Sequence, residues 1–560
     1  MNSQLSFLDY VVFIIYFIIV AGYGYSIYRK RKKNEHDAKA YFLAEGTLTW
    51  WAIGASLIAS NISAEQFIGM SGEGFFLGIA VAAYEWIAAV ALIIIAIWFI
   101  PVYLKNHIYT MPQFLKTRYN ETVALIMAIF WLFLYVFVNL TSILYLGAVA
   151  INGLAGGQYL HVIMVGLAVF ALLISLGGMK VVAYTDVIQV AVLIIGGLVT
   201  TYIALVTVGE YFGEDTVIGG FTALLKDAPE HFKMIIPKPG EGATQNDINK
   251  YLTFPGLLSY VAGIWIINLN YWGCNQYITQ RALGADLQTA RTGILFAGFL
   301  KLLMPVIVML PGIAAFVLYK NGQLPQLTGG KDGAYSAMLT FLPTGLKGLS
   351  VAALTAAIVA SLAGKVNSIS TIYTLDIHKK YFQKEANEQK QVRIGRIAVF
   401  GAMILAVMFT WTDVLGIGGE GGFTFIQKYT GFISPGVFAM FLLGMFWKRT
   451  TGTAAIAGVI TGFLLSVLFN EYAPQLFGND TFLYTAYPNG TGGFEIPFHI
   501  CMGLAFFFTM ILMIGISMAG PKINPKAFEL DKEMFRLKPS TTVLIVVTLL
   551  IIFALYVKFW

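Results

Sequence analysis

The chain is 560 residues long, with 58% hydrophobic and only 12% charged residues, a composition outside the range of soluble globular proteins and within that of membrane proteins. Its formal net charge of +7 is modest, and membrane orientation explains the basic residues, so we do not expect nucleic acid as a partner. Its two cysteines lie in separate apolar runs, which excludes a disulfide framework and a metal–thiolate site.

Apolar stretches long enough to cross a bilayer recur along the whole chain. We predict an all-α integral membrane protein with fourteen transmembrane helices. The N-terminal stretch lacks a basic start and a small-residue cleavage site, so we interpret it as the first span rather than a signal peptide. The predicted spans lie near residues 9–28, 48–75, 78–104, 122–154, 160–178, 181–208, 256–277, 293–318, 346–374, 394–411, 421–445, 452–469, 497–518 and 541–559.

The basic residues predict the orientation of these spans. Basic loops follow odd-numbered spans, for example RKRKKNEHDAK after the first and HKKYFQKEANEQKQVRIGR after the ninth. Because loops rich in lysine and arginine stay in the cytoplasm, both termini should face outward. The longer segments 209–255 and 470–496 then lie outside the membrane.

Two predicted spans carry clusters of polar residues in mid-membrane. The second span contains ASLIASNISAEQFIG and the seventh contains WIINLNYWGCNQYI. Interrupted helices at matching positions of two halves are typical of an inverted repeat with the substrate site between the halves. A structural alternative is that these polar groups only hydrogen-bond neighbouring helices. Helix geometry turns Glu65 about 100° away from Gln66. The sequence therefore leaves two roles for Glu65 equally open, a structural ion pair or hydrogen bond and a ligand contact.

Several motifs are long enough to be specific: ASLIASNISAEQFIGMSGEG, AYEWIAAV, YTDVIQV, NYWGCNQYITQR, FLKLLMPV, LDIHKKY, FIQKYTGFISPG and MFLLGMFWKRTT. In this order they resemble the sodium/solute symporter family, and most closely its sugar branch. The resemblance implies the five-plus-five inverted-repeat core shared with neurotransmitter/sodium symporters, with one extra helix before it and three after it. The chain then divides into a first helix with its cytoplasmic basic loop, a first repeat, an external loop, a second repeat and three peripheral helices: residues 1–47, 48–208, 209–255, 256–445 and 446–560.

The resemblance implies a sugar site that combines hydrogen-bond donors with acceptors. This suits a neutral polyol, because a carboxylate offers only acceptors, an ammonium only donors, and an amide both. For Glu85 and Lys301 an intramembrane ion pair is the structural alternative, although charges there cost about 2.5 to 3.5 kcal/mol each and structure alone rarely retains them. The implied sugar contacts are Gln66, Glu85, Asn268, Lys301 and Gln427.

The resemblance also implies gates on both sides of the sugar. Tyr271 is the implied inner gate, stacked beneath the sugar and held by Asn61. Ala88 stands where the family has a polar residue, which leaves the identity of the sugar open. The implied outer lid consists of Met70, Tyr84 and Phe423.

A sodium site is implied where span 2 unwinds against span 9. Carbonyl oxygens freed at a helix break suit a hard cation. The family usually has a second hydroxyl immediately before the implied serine ligand, whereas this chain has Ala360. The implied ligands are the carbonyls of Ala59, Ile62 and Ala357 and the hydroxyl of Ser361.

Lys365 interrupts the otherwise uncharged stretch ASLAGKVNSIS, about 6 Å of helix beyond Ser361. The resemblance implies that the ion leaves past Asp186. We consider three interpretations of the lysine: an ion pair with Asp186, snorkelling to the cytoplasmic interface, or an ammonium that replaces the ion. An unpaired ammonium at this distance would weaken sodium binding by about 3 kcal/mol at an effective dielectric of 20, or about a hundredfold.

These observations predict a sodium-coupled transporter of a galactose- or glucose-like sugar in the inner membrane of a bacterium. An enzyme is not expected, because the sequence suggests no nucleophile–base set and no metal constellation. The expected partners are the sugar, the sodium ion and the lipid bilayer, without an obligate protein partner. The alternatives are a sodium-independent facilitator or proton-coupled carrier, favoured by Ala360 and Lys365, and a sugar sensor that does not transport.

Overall fold

The structure, a computed structural model, describes residues 5–31, 48–155, 157–176, 179–324, 327, 330–385, 387–417 and 421–560. Within these residues twelve helical segments are long and apolar enough to cross a membrane, which confirms an integral membrane protein. They are Phe7–Ser26, Glu65–Lys105, Glu121–Leu154, Tyr184–Phe212, Gln245–Gly273, Leu287–Lys320, Leu346–Phe382, Glu388–Thr410, Gly422–Phe446, Gly452–Phe477, Phe498–Met518 and Pro539–Phe559.

The difference between these twelve segments and the fourteen predicted spans comes from two places in the chain. Segment Glu65–Lys105 has 41 residues, about 60 Å of helix, or roughly twice the hydrocarbon thickness of a bilayer. It is not continuous, because the α-helix ends at Leu77 and Gly78 has φ 79° and ψ −149°, a conformation almost restricted to glycine. The apolar helix Leu160–Ser175 has 16 residues, slightly fewer than a full span requires. The number fourteen stays a prediction.

Shorter elements lie between the long helices. Helix Gln245–Thr253 begins at a capping box in which the side chains of Thr244 and Asp247 each accept from the other's backbone N–H. Most of the first basic loop, residues 32–47, lies outside the described residues. The other elements include helices Trp50–Asn61, Met111–Arg118, Met179–Phe212, Val217–Asp227, Pro229–Phe232, Gln276–Thr279, Gly330–Gly333, Ala334–Leu339 and Lys532–Phe535, and the antiparallel strands Tyr487–Pro488 and Phe494–Glu495.

The chain divides into two compact units. The first contains Met1–Ala82, Ala128–Phe232 and Gln280–Ile426, and the second contains Ala83–Met127, Lys233–Thr279 and Gln427–Trp560. Each unit takes helices from both predicted repeats, so the repeat and domain boundaries stay predictions.

Glycines bring two helices of the first unit into close contact. A Cβ atom on Gly54 would lie 2.9 Å from the carbonyl oxygen of Gly293, and one on Gly293 would lie 2.8 Å from the carbonyl oxygen of Trp50. Small residues permit this close approach of backbones inside a membrane. Further along the same pair of helices, Lys301 Nζ donates a hydrogen bond to Asn61 Oδ1.

A second close contact joins helices Met179–Phe212 and Leu346–Thr371. Thr200 Oγ1 lies 3.1 Å from Ser350 Oγ, and a Cβ atom on Gly196 would lie 2.8 Å from Ala353 Cβ. These two contacts show that the helices run antiparallel. The early part of the first helix, which carries Asp186, therefore lies beside the later part of the second.

Candidate functional site

Helix Trp50–Asn61 ends inside the apolar core at the place where the ion site was predicted. Ile62 turns to an extended conformation with φ −76° and ψ 111°, and Ser63 begins the next helical stretch. The Ser63 hydroxyl accepts from the Glu65 N–H at 3.1 Å, and the Ser63 N–H donates to Gln66 Oε1 at 3.1 Å. Ser63 and Gln66 thus cap this helix start, because their side chains satisfy N–H groups that it leaves free. The predicted interruption of span 2 is therefore confirmed.

Span 7 is interrupted in the later part of the predicted polar stretch. Asn268 and Asn270 lie within the regular helix Ile264–Gly273, ahead of the break. The Asn268 amide donates to the Ile264 carbonyl at 2.9 Å, and the Asn270 amide donates to Ser434 Oγ at 3.1 Å. Polar side chains bonded in this way leave the helical backbone intact. The helix breaks only after Gly273.

The carbonyl end of helix Trp50–Asn61 meets the middle of helix Leu346–Thr371. The Ser361 hydroxyl donates to the Ser60 carbonyl at 3.2 Å, and both residues are buried. Because the last four carbonyls of a helix have no N–H partner inside it, the Ala59 carbonyl belongs to the same free set. Ala357 lies one turn before Ser361 on the facing helix. This concentration of oxygen atoms fits sodium as a transported ion.

Asp186 is fully buried in a polar cluster with Ser56 and Arg281. Ser56 Oγ donates to Asp186 Oδ2 at 2.7 Å, and Arg281 Nη2 lies 3.9 Å from the same oxygen. Arg281 Nε also donates to Ser56 Oγ at 2.9 Å. The guanidinium lies against Gly364, where a Cβ atom would come within 2.5 Å of Nη2. Asp186 thus pairs with Arg281, which argues against the first of the three interpretations of Lys365, an ion pair with Asp186.

Lys365 has a different acidic neighbour. Its side chain is buried, with 3% exposure, so the snorkelling interpretation is wrong. The Glu65 carboxylate attracts its ammonium, and the Arg281 guanidinium repels it. Glu65 is also buried, and it compensates the charge of Lys365 from the restart of the broken helix.

Most residues predicted to contact the sugar are buried. Gln66 Oε1 accepts a hydrogen bond from the Ser63 N–H. What the Gln66 side chain can offer a substrate is therefore mainly the two N–H donors of its amide nitrogen. Gln66 and Lys301 belong to the first unit, and the other three residues belong to the second. The exposed fractions are 3% for Gln66, 2% for Glu85, 7% for Asn268 and 1% for Lys301, whereas Gln427 is half-buried.

Two of the predicted lid residues lie close together in the first unit. Met70 and Phe423 are both buried. A Cβ atom on Gly69 would lie 2.8 Å from the Phe423 backbone nitrogen, so the broken helix contacts the start of helix Gly422–Phe446 directly. This contact requires glycine at position 69, because even the Cβ atom of alanine would lie too close to Phe423.

The two predicted gate tyrosines lie in the second unit. The Tyr84 hydroxyl forms a hydrogen bond of 2.8 Å with His499 Nε2. The Tyr271 ring packs edge-on against Trp272, with ring centroids 5.2 Å apart. The proposed link between Tyr271 and Asn61 stays a prediction.

A polar cluster that the sequence analysis did not identify joins three segments of the first unit. Glu73 Oε1 lies 2.6 Å from Lys331 Nζ and accepts from Thr424 Oγ1 at 2.6 Å. Asp332 Oδ2 accepts from the Gly422 N–H at 2.8 Å. Burial raises the pKa of Asp332 to about 6. The cluster fixes the second half of the broken helix to the neighbouring loop and to the start of the helix that carries Phe423.

The chain is similar in sequence to several known proteins. A family model described as the sodium:solute symporter family matches residues 41–462. The chain is 41% identical to a sodium/glucose cotransporter of Vibrio parahaemolyticus, over 99% of both sequences. It is 33% identical to the sodium/myo-inositol cotransporter 2 of Homo sapiens, over 82% of this chain and 69% of the relative. It is 29% identical to the sodium/glucose cotransporter 1 of Ovis aries, over 83% and 72% respectively.

A solved structure shows the same fold. A substrate-bound Na⁺-coupled sialic acid symporter in an outward-open state superposes with a TM-score of 0.75 at 18% sequence identity. The superposition covers 93% of this chain and 99% of that one.

Proposed function

Because the chain belongs to the sodium:solute symporter family, a family of transporters and not of enzymes, we propose that it couples sodium entry to the uptake of a galactose- or glucose-like monosaccharide. The contact of Ser361 with the Ser60 carbonyl at the helix break carries this proposal. It gathers a hydroxyl and freed carbonyls in a buried place where a bound cation has oxygen ligands. The proposed sodium ligands are Ala59, Ile62, Ala357 and Ser361.

The proposed sugar site combines polar residues that offer hydrogen-bond acceptors with residues that offer donors. Glu85 supplies acceptors and Lys301 supplies donors, while the amides of Gln66, Asn268 and Gln427 supply further hydrogen bonds. The relatives named sodium/glucose and sodium/myo-inositol cotransporters support a neutral polyol as the substrate. Ala88 leaves the choice among hexoses open.

The proposed topology has fourteen spans, a five-plus-five inverted-repeat core and both termini outside the inner membrane. The break at Gly78 and the short helix Leu160–Ser175 support this number of spans. The variant Lys522→Cys should react with an impermeant maleimide only when the reagent is added on the cytoplasmic side. The variant Glu241→Cys should react only when the reagent is added outside. Background reaction should be small, because Cys274 and Cys501 are buried. The opposite labelling pattern would refute the orientation.

Transport would proceed by alternating access. Sodium and sugar bind from outside, the lid residues close, and the repeats rock so that both solutes leave inward. The broken helix links the two sites, because Ala59 and Ile62 lie just before the restart and Gln66 just after it. Sodium release past the Asp186–Arg281 cluster would loosen the inner gate Tyr271.

A second candidate function is a sodium-independent sugar carrier, either a facilitator or a proton-coupled transporter. Ala360 and the buried Lys365 favour it, since the ammonium lies one turn beyond Ser361 on helix Leu346–Thr371 and is attracted by the Glu65 carboxylate of the broken helix. In that case Lys365 would replace the ion. A sugar sensor that does not transport is the less favoured alternative.

The proposed coupling predicts reciprocal binding. In the detergent-purified protein, saturating sodium should tighten binding of labelled galactose or glucose by about 5- to 150-fold, and saturating sugar should tighten sodium binding by the same factor. Ser361→Ala should reduce this factor and leave sugar affinity without sodium nearly unchanged. Equal sugar affinity with and without sodium in the wild type would rule out sodium coupling.

A further inference from the structure

Tyr84 is anchored by a helix outside the predicted ten-helix core. Its hydroxyl lies 2.8 Å from Nε2 of His499, in helix Phe498–Met518, and the ring centroids are 5.6 Å apart. His499 is completely buried. Phe254 packs against both rings, with centroids 6.1 Å from Tyr84 and 5.6 Å from His499.

The second imidazole nitrogen of His499 also has a hydrogen-bonding partner. His499 Nδ1 lies 3.2 Å from Ser259 Oγ, at the start of the segment that leads into helix Ile264–Gly273. A neutral imidazole has one donor and one acceptor nitrogen, so either tautomer can satisfy Tyr84 and Ser259 together. One histidine thus connects the side chains of three helical segments within the second unit.

The backbones of helix Phe498–Met518 and segment Ser259–Gly263 approach each other very closely. A Cβ atom on Gly263 would lie 2.7 Å from the His499 carbonyl oxygen and 2.8 Å from its Cα atom. Helix Phe498–Met518 can therefore approach the segment Ser259–Gly263 only because position 263 is glycine. This close approach fixes the imidazole as well as the helix.

We propose that His499 is a positioning residue that holds Tyr84 in the orientation needed to close over the sugar, with Ser259 orienting the imidazole in turn. The inference rests on the proposed role of Tyr84 in the outer lid. The fixed hydroxyl restricts the tyrosine ring before sugar binds, so less conformational freedom is lost on closure. Helix Phe498–Met518, which was predicted to be peripheral, would then contribute to substrate affinity.

A double-mutant cycle on sugar affinity tests the inference. His499→Phe keeps an aromatic ring but removes both nitrogens, and Tyr84→Phe removes only the hydroxyl. Each should weaken binding of labelled glucose or galactose by about 5- to 10-fold, as expected for the loss of one buried hydrogen bond. The double variant should be no weaker than the single variants, because both remove the same contact. Sodium affinity measured without sugar should change less than about twofold for all three, since none of them touches the ion site.

Conservative replacements distinguish a positioning role of His499 from a general contribution to the stability of the protein. His499→Gln carries an amide that reaches about as far as Nε2, and it should restore sugar affinity to within about threefold of the wild type. Ser259→Ala should weaken binding less than His499→Phe, and it provides a second test if the phenylalanine variant does not fold. Multiplicative losses in the double variant, or an unaltered affinity in both His499→Phe and Ser259→Ala, would overturn the inference. Failure of the wild type to bind any sugar would overturn the proposed function and this inference with it.

Discussion

Replacement of Glu85 by alanine is expected to abolish measurable sugar binding without unfolding the protein. Glu85 is 2% exposed and lies in the first turn of helix Ala83–Ile94, which follows the short 3-10 helix Gly78–Ala82. A hydrogen bond from a hydroxyl to an ionised carboxylate contributes about 1.5 to 3 kcal/mol, so loss of two such bonds weakens binding by at least about a hundredfold. Equilibrium binding of labelled galactose and glucose to the purified variant measures this effect.

Gln66→Ala provides an informative comparison. It should also weaken sugar binding strongly, but it removes the capping bond to Ser63 and should cost about 1 kcal/mol of stability as well. Glu85→Ala carries no such capping defect, so a thermal unfolding profile distinguishes the two variants. Wild-type sugar affinity in Glu85→Ala would contradict the assignment of this carboxylate to the sugar site.

Replacement of Glu65 by glutamine is expected to raise the sodium concentration for half-saturation by about a hundredfold. The carboxylate attracts the Lys365 ammonium, which lies one helical turn beyond Ser361. Without that carboxylate, a positive charge about 6 Å from the bound ion opposes sodium by about 3 kcal/mol at an effective dielectric of 20. Sodium-dependent binding of labelled sugar across a range of sodium concentrations measures the shift.

The double variant Glu65→Gln, Lys365→Met should return sodium affinity to near the wild-type value, because the two charges are removed together. Glu73→Gln is a matched control: this buried glutamate lies about 12 Å further along the same helix and pairs with Lys331, so sodium affinity should barely change. Unchanged sodium affinity in Glu65→Gln would show that Lys365 does not act on the ion. Sodium dependence that appears only after Lys365 is replaced would favour the ammonium as a substitute for the ion.

The helical membrane fold could be predicted from composition and apolar length, because few structures other than helices satisfy their backbone hydrogen bonds inside a bilayer. The boundaries were harder to predict. Nothing in the hydrophobic pattern distinguishes Asn268, which bonds to its own helix, from Asn61, where the helix ends. The sequence SAEQ at residues 63–66 does carry a helix-start signal and could have located the break more sharply.

The sodium ligands stay a prediction, whereas the structure does show the charges around them. Ser361 meets the broken helix as the family resemblance implied. The partner of Asp186 could not be predicted, because helical spacing shows which residues share a face but not which distant segment supplies the opposite charge. Arg281 comes from a third segment, and its only sequence signal is a lone arginine after an apolar span. The contact of His499 with Tyr84 likewise joins positions far apart in the chain, which one sequence cannot reveal.

Sodium-driven accumulation of sugar tests the central claim most directly. Purified protein in proteoliposomes should concentrate labelled galactose or glucose above the external level when an inward sodium gradient is imposed, and should not do so without sodium. The account predicts that dissipating the gradient with a sodium ionophore releases the accumulated sugar. Uptake that only equilibrates, at the same rate with and without sodium, would contradict sodium coupling and identify a facilitator with the same fold.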